Sequence, residues 1–121
     1  MANPGHKQSL GSRGEQIAVD YLTSIGYDVV DRNWRGNRCE LDVVALDRAH
    51  VVFVEVKTRG SSRYGSPLEA ITPTKLSNMT RAAFAWLQEN YVHHDGIRFD
   101  AIGIEMLEPT PRIVHIRGVS R

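Results

Sequence analysis

The sequence is short of most features that assign a function at sight. Its single cysteine, Cys39, excludes an internal disulfide and any Cys-x-x-Cys metal motif. No apolar run approaches the ~20 residues that cross a bilayer. The opening MANPGHKQSLGSRG has no apolar stretch of the signal-peptide kind. Neither charge sign dominates, with 15 Lys and Arg against 14 Asp and Glu and a formal net charge of +1. No P-loop or dinucleotide glycine pattern occurs. A secreted disulfide scaffold, a membrane-spanning protein and a nucleotide-binding P-loop domain are therefore set aside, and a cytoplasmic protein is expected. The 121 residues suffice for one domain with a core of its own and not for two.

What is present is alternation of helical and strand patterns. Residues 1–11 read as a flexible tail, leaving residues 12–121 as a single domain. Ile17, Ala18, Tyr21, Leu22 and Ile25 recur at helical spacing, between a start at Ser12 and a stop at Gly26. Ser12 followed by Glu15 has the spacing of a capping box. A short strand runs from Tyr27 into an Arg/Asn/Gly loop. Glu40–Asp47 and Val51–Thr58 are rich in β-branched residues and stand three residues apart, Arg48, Ala49 and His50, which predicts a tight antiparallel hairpin. After the loop RGSSRYGSP, Thr72-Pro73 opens a second helix with an apolar stripe of Leu76, Met79, Ala83, Trp86 and Leu87. Two strands, IRFDAIGIEM and RIVHIRGV, complete the chain. Five strands and two helices in this order give an α/β fold, a mixed sheet with helices packed on it.

The hairpin carries the chemistry. VVFVEVKT places Glu55 and Lys57 on one side of a strand that is otherwise apolar on both faces, the mark of a central strand. A carboxylate in such a place requires a partner, or its pKa rises. With the turn centred at Arg48 and Ala49, Asp42 comes to lie across from Glu55, and Glu40 shares its face. A one-residue slip would send Asp42 to the other face. Two facing carboxylates repel, and a divalent cation converts that repulsion into binding. Mg²⁺ uses one or two carboxylates together with water and phosphate, so Asp42, Glu55 and a backbone carbonyl of residues 55–57 make an open site. Lys57 supplies a point charge for a phosphate oxygen or an attacking water. The plainer alternative is a cross-strand ion pair of Lys57 with Asp42 or Glu55. Glu15, at the head of the first helix's apolar stripe, faces the sheet, either as a cap for Ser12 or as a further acidic site residue.

Arginines cluster in DRNWRGNR and KTRGSSR. On charge alone solvated loops explain them, whereas beside a metal they become phosphate ligands. Cys39 has no Cys-x-x-Cys partner, the His93-His94 pair has no third ligand at suitable spacing, and His115 in the last strand reads as a surface or packed histidine.

The succession GSRGEQIAVDYL, RCELDVVALD, VVFVEVKTR, YGSPLEAITPTK and RFDAI resembles the YraN family of predicted endonucleases, over about Gly11 to Ile102. More broadly, a helix-borne glutamate followed by D-x(12)-E-x-K resembles the PD-(D/E)xK superfamily, distantly related to Holliday-junction resolvases. Leu41 stands where the superfamily name has proline, and Cys39 where the family segment has glycine. The resemblance implies a restriction-endonuclease-like five-stranded mixed sheet. It implies Asp42 and Glu55 as ligands of Mg²⁺ or Mn²⁺, Lys57 as the catalytic lysine, Glu15 as an additional acidic residue, and Glu40 in a lesser role. The expected activity is metal-dependent hydrolysis of DNA phosphodiesters, with branched DNA as a substrate and a homodimer for paired cuts. Arg13, Arg35, Arg38, Arg59 and Arg63 are the candidates for backbone phosphate contacts. The alternative expectation is a nuclease-fold module that binds nucleic acid or a protein partner without cutting.

Overall fold

A computed structural model describes residues 10–36, 38–60 and 66–119. Helix α1 spans Leu10–Ser24 and is followed by three strands, β1 Asp28–Gly36, β2 Cys39–Asp47 and β3 His50–Arg59. A short 3-10 turn, Pro67–Ala70, leads to helix α2, Pro73–Glu89, and then to β4 Gly96–Glu105 and β5 Arg112–Ile116. The sheet order is β1-β2-β3-β4-β5. Neighbours are antiparallel except β3 and β4, which run parallel and are joined through α2. The five-stranded mixed sheet with two helices is the expected α/β fold.

β3 is the central strand, and both of its faces are buried. Val52 and Val54 join Val43, Ala45, Ile102 and Ile104 against Ala18 and Leu22 of α1. Val51 and Phe53 join Val44 against Ala82, Ala83 and Trp86 of α2. The uninterrupted valines follow from this, since each face of a central strand needs its own apolar lining. The turn between β2 and β3 is two residues long, Arg48 and Ala49, with Asp47 paired to His50. Arg48 takes the left-handed conformation at φ 57° that the turn requires.

The structure differs from the sequence expectation in three places. α1 begins at Leu10, so Ser12 lies inside the first turn and not at the cap, and residues 10 and 11 belong to the helix rather than to a tail. Residues 1–9 lie outside the described residues. Ile25, placed in the apolar stripe, is 39% exposed, because the helix ends at Ser24 and the chain turns away through Gly26 at φ 98°. The buried face of α1 includes Gly14 instead, where a Cβ would collide with the Thr58 side chain. Glycine there lets the start of α1 lie directly on the end of β3. α2 follows its expected stripe, with Thr72 accepting the Lys75 amide at 3.1 Å and Pro73 in the first turn. Among the described residues no helix is long and apolar enough to cross a membrane.

One polar network lies within this core. Asp100 of β4 is fully buried. Its carboxylate accepts Arg98 Nε at 2.9 Å, Arg98 Nη2 at 3.0 Å and the Gly118 amide at 3.0 Å, and His115 Nε2 stands 2.8 Å from Oδ2. Arg98 reaches on to Asp47 at 2.9 Å and the Tyr27 hydroxyl at 2.6 Å, while the Tyr21 hydroxyl lies 3.0 Å from His115 Nδ1. The donors outweigh the desolvation that burial imposes, and Asp100 stays below the ordinary aspartate value of 3.8. This network ties β4 and β5 to the end of α1.

Candidate functional site

The site forms where β2 and β3 separate. Their regular pairing stops at Val43 opposite Val54. Beyond that point the Asp42 side chain takes over, and its Oδ2 accepts the Val56 amide at 2.8 Å. Strand alternation breaks at the same place. Val43 packs on the α1 side, yet Leu41, two residues earlier, packs with Val44 on the α2 side. The break leaves Asp42 at the rim of the split, beside Glu55, and the hairpin register therefore unites the two carboxylates as the sequence spacing indicates.

Their electrostatics are unfavourable. Burial, reinforced by the negative charge of Asp42, pushes the Glu55 carboxyl from 4.5 up to about 7. Asp42 is likewise raised above its ordinary value of 3.8, by burial first and Glu15 in addition, despite the Val56 amide and the neighbouring Lys75. The two carboxyls are close enough to share a hydrogen bond. The cation that compensates Glu55 is Lys75, whose Nζ stands 3.3 Å from Oε1. It comes from the first turn of α2, so the ion pair at Glu55 is made by a different element from the Lys57 pair weighed as the plainer alternative.

Glu15 points toward the site but is committed elsewhere. Its Oε1 accepts Asn33 Nδ2 at 2.8 Å and Arg32 Nη2 at 3.3 Å, which pins α1 to β1. It lines a cavity of about 350 Å³ together with Asn33, Glu40, Asp42 and Val56. Glu40 is paired with Arg35 across the β1–β2 ladder at 3.6 Å. Among the described residues no three His, Cys, Asp or Glu side chains converge closely enough to hold a metal ion. The donor set is the Asp42–Glu55 pair, which matches the one or two carboxylates that Mg²⁺ uses when water and phosphate supply the rest.

The basic residues divide into two groups. Arg35 and Arg38 border a groove of about 650 Å³ with Glu40, Lys75 and Asn78. Glu40 lines both this groove and the smaller acidic cavity, so the two adjoin. Lys57 is exposed and borders a separate cavity with Leu10, Thr58 and Arg59. It makes no ion pair among the described residues. Arg13 is exposed on the first turn of α1, and Arg63 lies outside the described residues. Lys75 is the residue that sequence reasoning passed over. It falls off the apolar stripe of α2 and so resembles a solvated helix lysine, although it stands within the ITPTK segment.

Comparison with known proteins identifies relatives along nearly the whole chain. Residues 14–104 match the uncharacterised protein family UPF0102. A UPF0102 protein of Mycolicibacterium vanbaalenii is 40% identical over 121 residues, covering 99% of this chain and 100% of its own. One from Geobacter sulfurreducens is 46% identical over 112 residues, 92% of this chain and 88% of its own. One from Rhodococcus opacus is 42% identical over 113 residues, 93% and 96% respectively.

Proposed function

The chain belongs to the uncharacterised protein family UPF0102, the YraN family, and from its site we propose that it is a metal-dependent DNA endonuclease. The observation that carries this reading is the Asp42–Glu55 pair, two carboxylates held together at a strand split with both pKa values raised. A fold that only needed a salt bridge there would gain from replacing one of them by a neutral side chain. A divalent cation gives both a purpose, since carboxylates are its ligands and its charge cancels their repulsion. Asp42 and Glu55 would hold Mg²⁺ or Mn²⁺, which would supply positive charge for polarising a scissile phosphate and acidifying a water.

The protein's own residues do the remainder. The Val56 amide fixes one oxygen of Asp42 at the end of β3. β3, packed on both faces, holds Glu55 with little freedom. Arg35 and Arg38, along the adjoining groove, suit backbone phosphates, which bind without reading sequence. Lys57 stabilises charge on the attacking or leaving oxygen once substrate brings that atom toward it. Glu15 contributes through the cavity that it shares with Asp42. Branched DNA is the favoured substrate, with two copies of the chain making paired cuts.

A second reading has its own support. Lys57 borders a different cavity from Asp42, which suits a module that binds nucleic acid without cutting it. Purified protein incubated with single-stranded, duplex, flap and four-way DNA and Mn²⁺ separates the two. The endonuclease reading expects cleavage that Glu55→Gln and Lys57→Met abolish. Cleavage that survives both substitutions, or DNA binding with no cleavage on any member of the panel, overturns it.

A further inference from the structure

Lys75 stands between the two halves of the site. Its Nζ is 3.3 Å from Glu55 Oε1, and its side chain also borders the groove with Arg35, Arg38 and Asn78. About a third of the side chain is exposed, with a relative accessibility of 34% against 14% for Glu55. The ammonium therefore has room to move, while its partner does not. A divalent cation on the Asp42–Glu55 pair and an ammonium on Glu55 would be like charges at short range, and they would compete for the same oxygen. The nearest polar space open to a displaced Lys75 is the groove, where arginines already gather positive charge.

Resting on the metal-dependent reading of the carboxylate pair, we propose that Lys75 is a second cation of the site. It neutralises Glu55 while the metal is absent and moves to a backbone phosphate of the bound nucleic acid once the metal arrives. Lys75 then occupies a role separate from that of Lys57. It is the internal counter-ion that keeps two buried carboxylates tolerable in the free protein, and the residue that couples metal uptake to substrate contact. A flexible lysine suits both tasks better than a planar guanidinium, because a compact point charge re-pairs without a fixed fork geometry.

The test uses the full-length chain as wild type, Lys75→Met and Lys75→Gln, with Mn²⁺ alone as the first probe. Calorimetric titration is expected to show Mn²⁺ binding about tenfold tighter in both variants, because a competing cation has been removed. The second probe is a labelled duplex, followed by fluorescence anisotropy in Ca²⁺ across a salt series. Binding by both variants is expected to weaken, and the slope of log affinity against log salt to fall by about one, the signature of one lost phosphate contact. Lys75→Arg should restore the slope. Wild-type Mn²⁺ binding that neither variant tightens overturns the counter-ion role and leaves the metal-site reading standing. An unchanged salt slope overturns the phosphate role. No Mn²⁺ binding by the wild type overturns the inference and the metal-site reading together.

Discussion

Asp100 and Glu55 are carboxylates on neighbouring strands of one sheet, with Ala101 paired to Glu55, and their surroundings differ in kind. Asp100 lies on the α1 side and is met by Arg98, His115 and the Gly118 amide. Glu55 faces α2 and meets another carboxylate, with one partly exposed lysine as compensation. The pKa directions follow, down for Asp100 and up for Glu55. A buried charge surrounded by fixed donors belongs to the architecture. A buried charge placed against its own kind costs stability in the isolated protein, and the proposed metal would offset that cost.

The largest expected effect is on the satisfied side. Asp100→Ala strands the guanidinium of Arg98 and the ring of His115 without their shared acceptor. It should lower unfolding stability by about 3 kcal/mol, read from urea denaturation. Loss of under ~1 kcal/mol would remove the contrast between the two clusters. On the strained side the sign reverses. Glu55→Gln keeps the shape and removes a charge that burial and Asp42 both disfavour. It should raise metal-free stability at pH 8 by about 1 kcal/mol, even with the partly exposed Lys75 left unpaired. Destabilisation by Glu55→Gln would mean that its ion pair outweighs the repulsion.

The pH dependences should also oppose each other. The folded state raises the pKa of Glu55 from 4.5 to about 7, so it favours the protonated form. The stability this group contributes is full below 4.5 and is lost as pH rises through about 7. Asp100 is lowered below 3.8, so its contribution is present above that value and is lost on acidification beneath it. Thermal melts of the metal-free protein should fall toward both ends. Mn²⁺ should restore the alkaline side, because ligation needs the deprotonated carboxyl. A melt that rises steadily from pH 5 to pH 8 without metal would contradict the assignment for Glu55. The smallest effect is expected at Lys57, exposed and without an ion pair among the described residues. Lys57→Met should leave stability within about 0.5 kcal/mol while cleavage is lost, which separates a catalytic residue from a structural one.

The comparison also marks how far the sequence could be read. The pairing of Asp42 with Glu55 was legible because it depends on a two-residue turn between β-branched runs, and a short turn fixes register. The central position of β3 was legible from valines on both faces. The Asp100 network was not. Arg98 and Asp100 alternate with Ile97 and Phe99, a pattern that ordinarily marks a solvated face. What buries them is the end of α1 with Tyr21 and Tyr27, distant in the chain. Lys75 was hidden for the converse reason. A lysine on the polar side of an amphipathic helix carries no local sign that a buried carboxylate from another element will reach it. Gly14 did carry a signal, a glycine inside a helical pattern, and the structure supplies its reason in the close approach of Thr58.

The most direct measurement is calorimetric Mn²⁺ titration at pH 8 of the wild-type chain and of Asp42→Ala. Saturable binding near one ion per chain, abolished by the substitution, is the predicted result. No binding by the wild type, or equal binding by Asp42→Ala, would contradict the claim that this carboxylate pair is a metal site.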